Sequence, residues 1–327
     1  MNLPAQAELG CCATSADDVQ QAWHYARRHG HRFLPLGAGS NVVPNRQVAG
    51  LVCLMQTRGI EVLSETSEYA LVRVAAGENW HDFVLHSLQH EWYGLENLAL
   101  IPGTVGAAPV QNIGAYGVEL ANFVSRIELL DAQGQRRHLS GTQCGFGYRD
   151  SVFKRGNGST ILSVTFRLGR RGQPIYDYPD LSAELLQRLG RDTVITSHHV
   201  ADAVIAIRSR KLPTLASYPN AGSFFKNPSV STAMAERIAL QVPGLTRYPI
   251  AEPHDGRVKL SAAQLLDAAG WKRRAAARVA CWHEQPLVLV NTGGADGEDV
   301  KTFAASIQQD ILARYGLSLE FEPTVLS

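Results

Sequence analysis

Cysteine and methionine are scarce in this chain, at five and three among 327 residues. The cysteines (Cys11, Cys12, Cys53, Cys144, Cys281) are odd in number, scattered, and outside any CxxC or other metal-like spacing. Neither a disulfide framework nor a thiolate metal centre is expected, and reduced, mostly buried thiols favour a cytoplasmic location. Net charge is almost absent as well: 31 basic against 30 acidic side chains leave +1. No global field draws nucleic acid or a membrane surface, so an anionic ligand has to meet a local basic cluster. No uncharged apolar run approaches the roughly 18 residues of a membrane span. Residues 1–8 lack the basic-then-apolar pattern of a secretory signal, and none is expected. There is no HExxH, no Ser/His/Asp order, and no metal spacing among the 11 histidines; His81, His90, His198 and His199 read as surface residues, and no metal is expected.

What is present is a chain with 45% hydrophobic residues, enough for a sizeable core and long enough for two or three domains. Ser15 with Asp18 opens a helix as a capping pair, Val19, Ala22, Trp23 and Ala26 form its stripe, and Gly30 ends it. Residues 32–36 and 51–55 read as strands, as do 71–75, 124–130 and 161–166 further on. Residues 94–117 are dense in Gly, Ala, Pro and Asn, which suits backbone lying against a ligand. In the last third, 203–207 reads as a strand. Ser261 with Gln264 opens a helix that stops at Gly270. Residues 287–291 read as a strand closed by Gly293 and Gly294, and Val300, Phe303, Ile307 and Ile311 form a helical stripe ending before Gly316. Residues 317–322 read as a final strand. The class is α+β.

Five segments carry candidate chemistry. Gly37-Ala38-Gly39-Ser40-Asn41 follows a strand; its glycines can turn N–H groups toward an anion and Ser40 and Asn41 can add side-chain donors, but it is neither a P-loop nor a full dinucleotide fingerprint, and taken alone it reads first as a plain tight turn. Pro102-Gly103-Thr104-Val105-Gly106-Ala107 leads into Asn112-Ile113-Gly114-Ala115-Tyr116-Gly117. These two Gly-rich turns either bracket one large flat cofactor and its pyrophosphate or pack against a sheet. In Phe146-Gly147-Tyr148-Arg149-Asp150, Arg149 either clamps a carboxylate or joins a surface ion pair. Arg208-Ser209-Arg210-Lys211 either holds a diphosphate or forms a solvated face. It precedes Ala221-Gly222-Ser223-Phe224-Phe225-Lys226-Asn227-Pro228, where Ser223, set between Gly222 and aromatics, is either an ordinary loop serine, as most are, or one shielded from water that can pass a proton. In Leu319-Glu320-Phe321-Glu322, alternation puts both glutamates on one face.

Taken in this order, the segments resemble the UDP-N-acetylenolpyruvoylglucosamine reductase (MurB) family along almost the whole chain. The resemblance implies a FAD-binding fold of the vanillyl-alcohol-oxidase/PCMH type in two subdomains, 1–56 (completed by 317–327) and 57–200, with an α+β substrate-binding domain at 201–316. It implies non-covalent FAD held by the two Gly-rich regions: Gly37, Ala38, Gly39, Ser40 and Asn41 in one, and Pro102, Gly103, Thr104, Gly106, Ala107, Asn112, Gly114, Ala115, Tyr116 and Gly117 in the other. NADPH is then the hydride donor and UDP-N-acetylglucosamine enolpyruvate the substrate, reduced to UDP-N-acetylmuramate for peptidoglycan. Hydride passes from flavin N5 to C3 and a proton from Ser223 to C2. The family's catalytic arginine and glutamate fall on Arg149 and Glu322, the latter chosen over Glu320 by the Leu-Glu-x-Glu pattern. Substrate-binding positions fall on Tyr148, Tyr178, Arg208, Lys211, Asn227, Tyr248, Lys259, Lys272 and Gln285. Tyr178 matches the subtype that closes a tyrosine loop over the substrate, and a monomer is expected. The chain departs from the family in two places: the usual Asn-Thr-Phe ahead of the first strand is missing, so either the start is late or that strand is trimmed, and the tail after Glu322 is short, which implies a reduced closing strand.

Two other readings compete. A sugar or alcohol oxidase of the same flavin superfamily often links FAD through a histidine near the Gly-rich turn, and none lies within 37–47. A nucleotide-sugar-binding relative without chemistry is expected to have lost at least one of Arg149, Ser223 and Glu322, and all are present.

Overall fold

The helix Ala16–Arg28 starts where its capping pair places it: Ser15 Oγ accepts the Asp18 N–H at 3.1 Å while Asp18 accepts the Ser15 N–H at 2.9 Å. Gly30 lies beyond its end with φ +72°, a conformation that costs a glycine little. The long helix Gly297–Tyr315 is built likewise, with a reciprocal Asp296–Asp299 cap, a buried stripe of Val300, Phe303, Ile307 and Ile311, and a left-handed Gly316. Ser261 caps Ala262–Ala268, but Gln264 does not close the box; its carboxamide instead accepts the Thr246 N–H at 2.6 Å.

The computed structural model describes residues 1–250 and 256–327. The chain divides into two units: residues 7–39 with 49–210, and residues 1–6 and 40–48 with 211–327. In the first, a five-stranded antiparallel sheet has the order Arg136–Ser140, Val124–Leu130, Thr160–Gly169, Tyr69–Ala75, Ile60–Glu65. The central strand is buried along almost its whole length, with Val164 between Val74 and Ile127. The helix Trp80–Gln89 packs Trp80 and Phe83 on Phe166, with ring centroids 5.1–6.2 Å apart. A second sheet sets Gln47–Met55 between Gln6–Ala13 and Phe33–Leu36. The strand Gln6–Ala13 has eight residues.

The second unit holds a sheet ordered Asn220–Ser223, Val288–Asn291, Val279–Cys281, Ala275–Ala276, and another ordered Ser229–Ser231, Arg257–Leu260, Arg247–Tyr248. Its own apolar core includes Phe224, Phe225, Leu265, Leu289 and Ile307.

Two sequence expectations fail. Residues 203–207 are not a strand but the middle of the helix Ser197–Lys211. Val200, Ala203, Val204 and Ile207 are its buried side chains, spaced as a helix requires, and the Thr196 hydroxyl accepts the His199 N–H at 3.3 Å at its start. Residues 317–322 keep the expected alternation, with Leu317 and Leu319 buried, but are not a strand; one isolated bridge, Phe225 to Phe321, is their strand-like pairing. The terminal strand is Thr324–Leu326, parallel to Val42–Pro44.

All five thiols are free, with Cys53, Cys144 and Cys281 buried, Cys11 half-buried and Cys12 exposed. Burial, with Cys11 beside it, pushes the Cys53 thiol up to about 12; burial lifts Cys144 to about 11 and Cys281 to about 12. These three stay protonated and poorly nucleophilic at neutral pH.

The helical assignment of 197–211 is testable at Ile207, which is 1% exposed. Ile207→Ala is expected to cost about 2–5 kcal/mol, read as a lower urea midpoint at unchanged slope. A cost below about 0.5 kcal/mol would place that side chain at the surface.

Candidate active site

In the first unit the Gly-rich segments converge because their glycines permit contacts that a methyl group would block. A Cβ on Gly37 would stand 2.4 Å from Thr104 Oγ1, and one on Gly106 would stand 2.5 Å from the Ala76 Cβ. The loop 103–106 is bound to residues 76–80 by main-chain bonds: Trp80 N–H to Gly103 O at 3.1 Å, Val105 N–H to Glu78 O at 2.9 Å, and Gly106 N–H to Ala76 O at 2.8 Å. Leu100, just upstream, has φ +59°, and its N–H donates to His81 Nδ1 at 3.0 Å. His81 was expected at the surface; it is half-buried in the first turn of Trp80–Gln89. Burial, with Arg208 adding to it and Asp82 opposing, lowers its pKa. It is the neutral acceptor that this bond requires.

The next segment is held just as tightly. Asn112 adopts φ +45° and is buried; its carboxamide donates to Glu119 Oε2 at 2.8 Å and Gly147 O at 3.1 Å, and accepts the Ala121 N–H at 2.9 Å. Its side chain ties the loop 112–121 to the turn that carries Arg149. That turn, Gly147 to Asp150, is closed by reciprocal main-chain bonds of 3.0 and 3.2 Å. Arg149 sits in it at φ +52°, donates Nη2 to Gly114 O at 2.7 Å, and lies 5.3 Å over the Tyr148 ring. The Asp150 carboxylate bonds Arg155 behind it. Left-handed conformations at Leu100, Asn112, Tyr116 and Arg149 concentrate in these loops, as at functional sites.

Arg208 has a buried Nε with no hydrogen-bond partner among the described residues. Burial lowers its pKa, and the charge of Arg149 adds to this while Tyr116 opposes it. The expected basic run does not act as one cluster: Arg210, two residues on and about 200° round the helix, bonds Glu184 at 2.8 Å. The Tyr116 ring meets Tyr178 edge-on at 5.5 Å, and burial raises its phenol pKa.

The second unit assembles the other expected residues. Ser223 ends the strand Asn220–Ser223 opposite Val288, and Gly222 before it has φ +72°. The Phe224 N–H donates to Leu287 O at 2.8 Å, and the Glu322 N–H to Phe224 O at 2.9 Å. Asn41 donates Nδ2 to Glu322 O at 3.4 Å and accepts the Thr324 N–H at 3.0 Å. Ser223, Glu322 and Asn41 are therefore joined through main chain. Asn227 Oδ1 accepts the Ala262 N–H at 3.0 Å. Tyr248 and Lys259 are direct cross-strand partners, and the Lys211 carbonyl accepts Trp282 Nε1–H at 3.2 Å. Lys272 is exposed and 3.7 Å from Asp267, and the Gln285 side chain accepts the Leu287 N–H at 3.5 Å.

Comparison with known proteins places this arrangement. Residues 8–140 match the model of an FAD binding domain, and residues 213–326 match the C-terminal domain of UDP-N-acetylenolpyruvoylglucosamine reductase. The UDP-N-acetylenolpyruvoylglucosamine reductase of Azoarcus sp. is 46% identical over 98% of this chain and 93% of its own. That of Burkholderia multivorans is 48% identical over 90% and 84%. The chain belongs to the UDP-N-acetylenolpyruvoylglucosamine reductase family.

Solved structures agree on the fold of this reductase-family chain. The Thermus caldophilus reductase superposes with a TM-score of 0.66 at 22% identity, covering 97% of this chain and 92% of that one. The 6-hydroxy-D-nicotine oxidase of Arthrobacter nicotinovorans gives 0.53 at 14% identity, covering 96% and 82%. The fold is the vanillyl-alcohol-oxidase type of FAD-binding fold with an additional α+β domain, and the protein is an FAD-dependent oxidoreductase. Its first unit fits that cofactor on two observations: Gly37 and Gly106 stand where a Cβ would meet Thr104 Oγ1 at 2.4 Å and the Ala76 Cβ at 2.5 Å, so bare main chain occupies both turns, and the buried Nε of Arg208 has no hydrogen-bond partner among the described residues. A dinucleotide supplies phosphate oxygens to such donors. Among the described residues no helix is long and apolar enough to cross a membrane, and no cluster of three His, Cys, Asp or Glu is placed to hold a metal.

Two predictions follow from the cofactor loops. Gly106→Ala is expected to lower FAD retention on gel filtration and the melting temperature, and Ala76→Gly in the same chain to recover most of both, since the Ala76 Cβ is the nearest obstacle. Failure of the double variant to recover would show that the clash is not what limits the loop. For His81, the folded pKa lies below the free value of about 6.5, so folding favours the neutral ring. Stability is unaffected above that pH, falls as pH drops below it, and levels off below the folded pKa. His81→Asn keeps a neutral acceptor, so its urea midpoint is expected to fall less than that of the parent between about pH 6.5 and 5; parallel curves would refute the bond to Leu100.

Proposed function

We propose that the protein catalyses the NADPH-dependent reduction of UDP-N-acetylglucosamine enolpyruvate to UDP-N-acetylmuramate, a step of peptidoglycan precursor synthesis, as a cytoplasmic monomer. The observation that carries this is the main-chain linkage of Ser223 to Glu322 through Phe224. It ties the segment that carries Ser223 to the segment that carries Glu322 in a chain whose curated relatives carry the reductase's name.

Bound non-covalently, FAD supplies hydride carriage, from the nicotinamide of NADPH to C3 of the enolpyruvyl double bond. Arg149 is the partner of the substrate carboxylate and of the negative charge that develops at C2. A guanidinium already fixed by Gly114 and the Tyr148 ring needs little reorganisation to do this. Ser223 gives its hydroxyl proton to C2, aided by a cation or a water relay because an alcohol is a weak acid. Glu322 orients that donor or acts as a protonated one. Arg208, Lys211, Lys259 and Lys272 are the cations for a diphosphate. Tyr148, Asn227, Tyr248 and Gln285 complete the substrate contacts, and Tyr178, edge-on to Tyr116, closes over the substrate as in the tyrosine-loop subtype. The Gly-rich residues at 37–41, 102–107 and 112–117 hold the cofactor, largely through main chain. The cofactor subdomains are 1–56 with 317–327 and 57–200, and the substrate domain is 201–316.

The test is Ser223→Ala followed by stopped-flow flavin absorbance. Reduction by NADPH is expected to keep its rate, while reoxidation by the UDP-sugar slows by orders of magnitude. Equal slowing of both half-reactions would remove Ser223 as proton donor.

A further inference from the structure

Glu320 and Glu322 stand two residues apart in an extended segment, where alternation turns both the same way. What separates them is register. The segment is joined to residues 224–226 by the bridge between Phe225 and Phe321. Two main-chain bonds close it: Lys226 N–H to Glu320 O at 3.0 Å and Glu322 N–H to Phe224 O at 2.9 Å. Glu320 therefore lies opposite Lys226, and Glu322 opposite Phe224, the residue after Ser223.

A single bridge specifies register weakly. A slip of two residues would keep every side chain on its own face and bring Glu320 to the place of Glu322, a shift of about 6.6 Å along the chain. Side chains have to forbid that slip. Phe321 packs against Phe224 and Phe225, at 5.1 and 5.7 Å between centroids; Leu319 would replace it. Lys226 Nζ is 3.0 Å from Glu320 Oε2, and Ser318 would replace that carboxylate. The Lys226 side chain is 19% exposed while that of Glu320 is 74% exposed. The ammonium thus lies at the edge of the core and the carboxylate at the surface.

We propose that Lys226 is a positioning residue that assigns the two glutamates: by binding Glu320 across the strand it locks the register that leaves Glu322 opposite Phe224, in the segment that carries Ser223. The proposal rests on the reading of Ser223 and Glu322 given above. It also gives the lysine inside the serine segment a partner within the protein. Opposite charges directly across an antiparallel pair favour one register, and a misplaced carboxylate about 1 Å from its working position costs up to roughly a hundredfold in rate.

The experiment uses the FAD-loaded, full-length enzyme with Lys226→Met, Glu320→Gln, Lys226→Arg and the exchanged pair Lys226→Glu with Glu320→Lys. Flavin reduction by NADPH is expected to be unchanged in all. Reoxidation by the UDP-sugar is expected to slow roughly ten- to a hundredfold in the first two and to recover in the arginine variant and the exchanged pair. Amide hydrogen exchange without substrate supplies a readout independent of turnover. The Lys226 and Glu322 amides are expected to lose protection in Lys226→Met and regain it in the exchanged pair. Full reoxidation in Lys226→Met would overturn the proposal, as would slow reoxidation with unchanged protection and no recovery on exchange. Glu322→Gln separates the two levels. If it leaves reoxidation fast, the role of Glu322 falls and the positioning role with it; if it slows reoxidation while Lys226→Met does not, the positioning role alone falls.

Discussion

Two close approaches, Gly37 on Thr104 and Gly106 on Ala76, are the constraint on which the cofactor side of this protein depends. A dinucleotide offers phosphate oxygens, and main-chain N–H groups meet such oxygens best where no side chain intervenes. The glycines let the loop at the end of Phe33–Leu36 and the loop 103–106 lie against their neighbours. The bonds from residues 76–80 then hold the second loop still. The helix Trp80–Gln89 adds His81 as an acceptor for Leu100, so one helix N-terminus braces both ends of the segment. Rigidity here comes from hydrogen bonds along the backbone, and removing a methyl group costs less than accommodating one.

Charge is arranged by the same economy. A net charge of +1 says little, because several arginines of the first unit are paired locally: Arg73 with Glu61, Arg136 with Asp17, Arg155 with Asp150, and Arg188 and Arg210 both with Glu184. Arg208 differs. Its Nε is buried without a hydrogen-bond partner among the described residues, and Arg149 is near enough to disfavour its charge. A buried donor left unmade is costly in isolation, and two guanidiniums that repel each other are relieved when an anion arrives.

Much of this was legible in the sequence, and the gaps have physical causes. The Gly-rich loops stood out because glycine, proline and asparagine mark positions where backbone must turn. The caps at Ser15 and Ser261 and the stop at Gly316 were legible because they are local chemistry. The helix Ser197–Lys211 was misread because Val204, Ile205 and Ile207 are β-branched, and a window of five residues is too short to distinguish a period of 3.6 from one of 2. The role of His81 was hidden because the cap at Asn79, which receives the Asp82 N–H at 3.0 Å, went unread, so the histidine was not seen to start a helix. Arg208 and Arg210 are near neighbours in sequence, yet only the helix shows that they face different partners.

The tail at 317–322 marks the limit of pattern reading most sharply. Alternation correctly gave faces: Leu317 and Leu319 are buried and Glu320 is exposed. It could not give a partner, because an extended chain alternates whether it is paired along its length, at one bridge, or nowhere. It could not choose between two glutamates on one face either, since a slip of two residues preserves every feature that the pattern contains. That choice belongs to non-local contacts, namely the aromatic packing of Phe321 on Phe224 and Phe225 and the ion pair of Lys226 with Glu320. Where a period-2 segment carries two copies of the same reactive residue, the decisive information lies in the strand opposite. Here that strand begins at the residue after Ser223, so one short pairing sets where Glu320 and Glu322 stand along the segment 224–226.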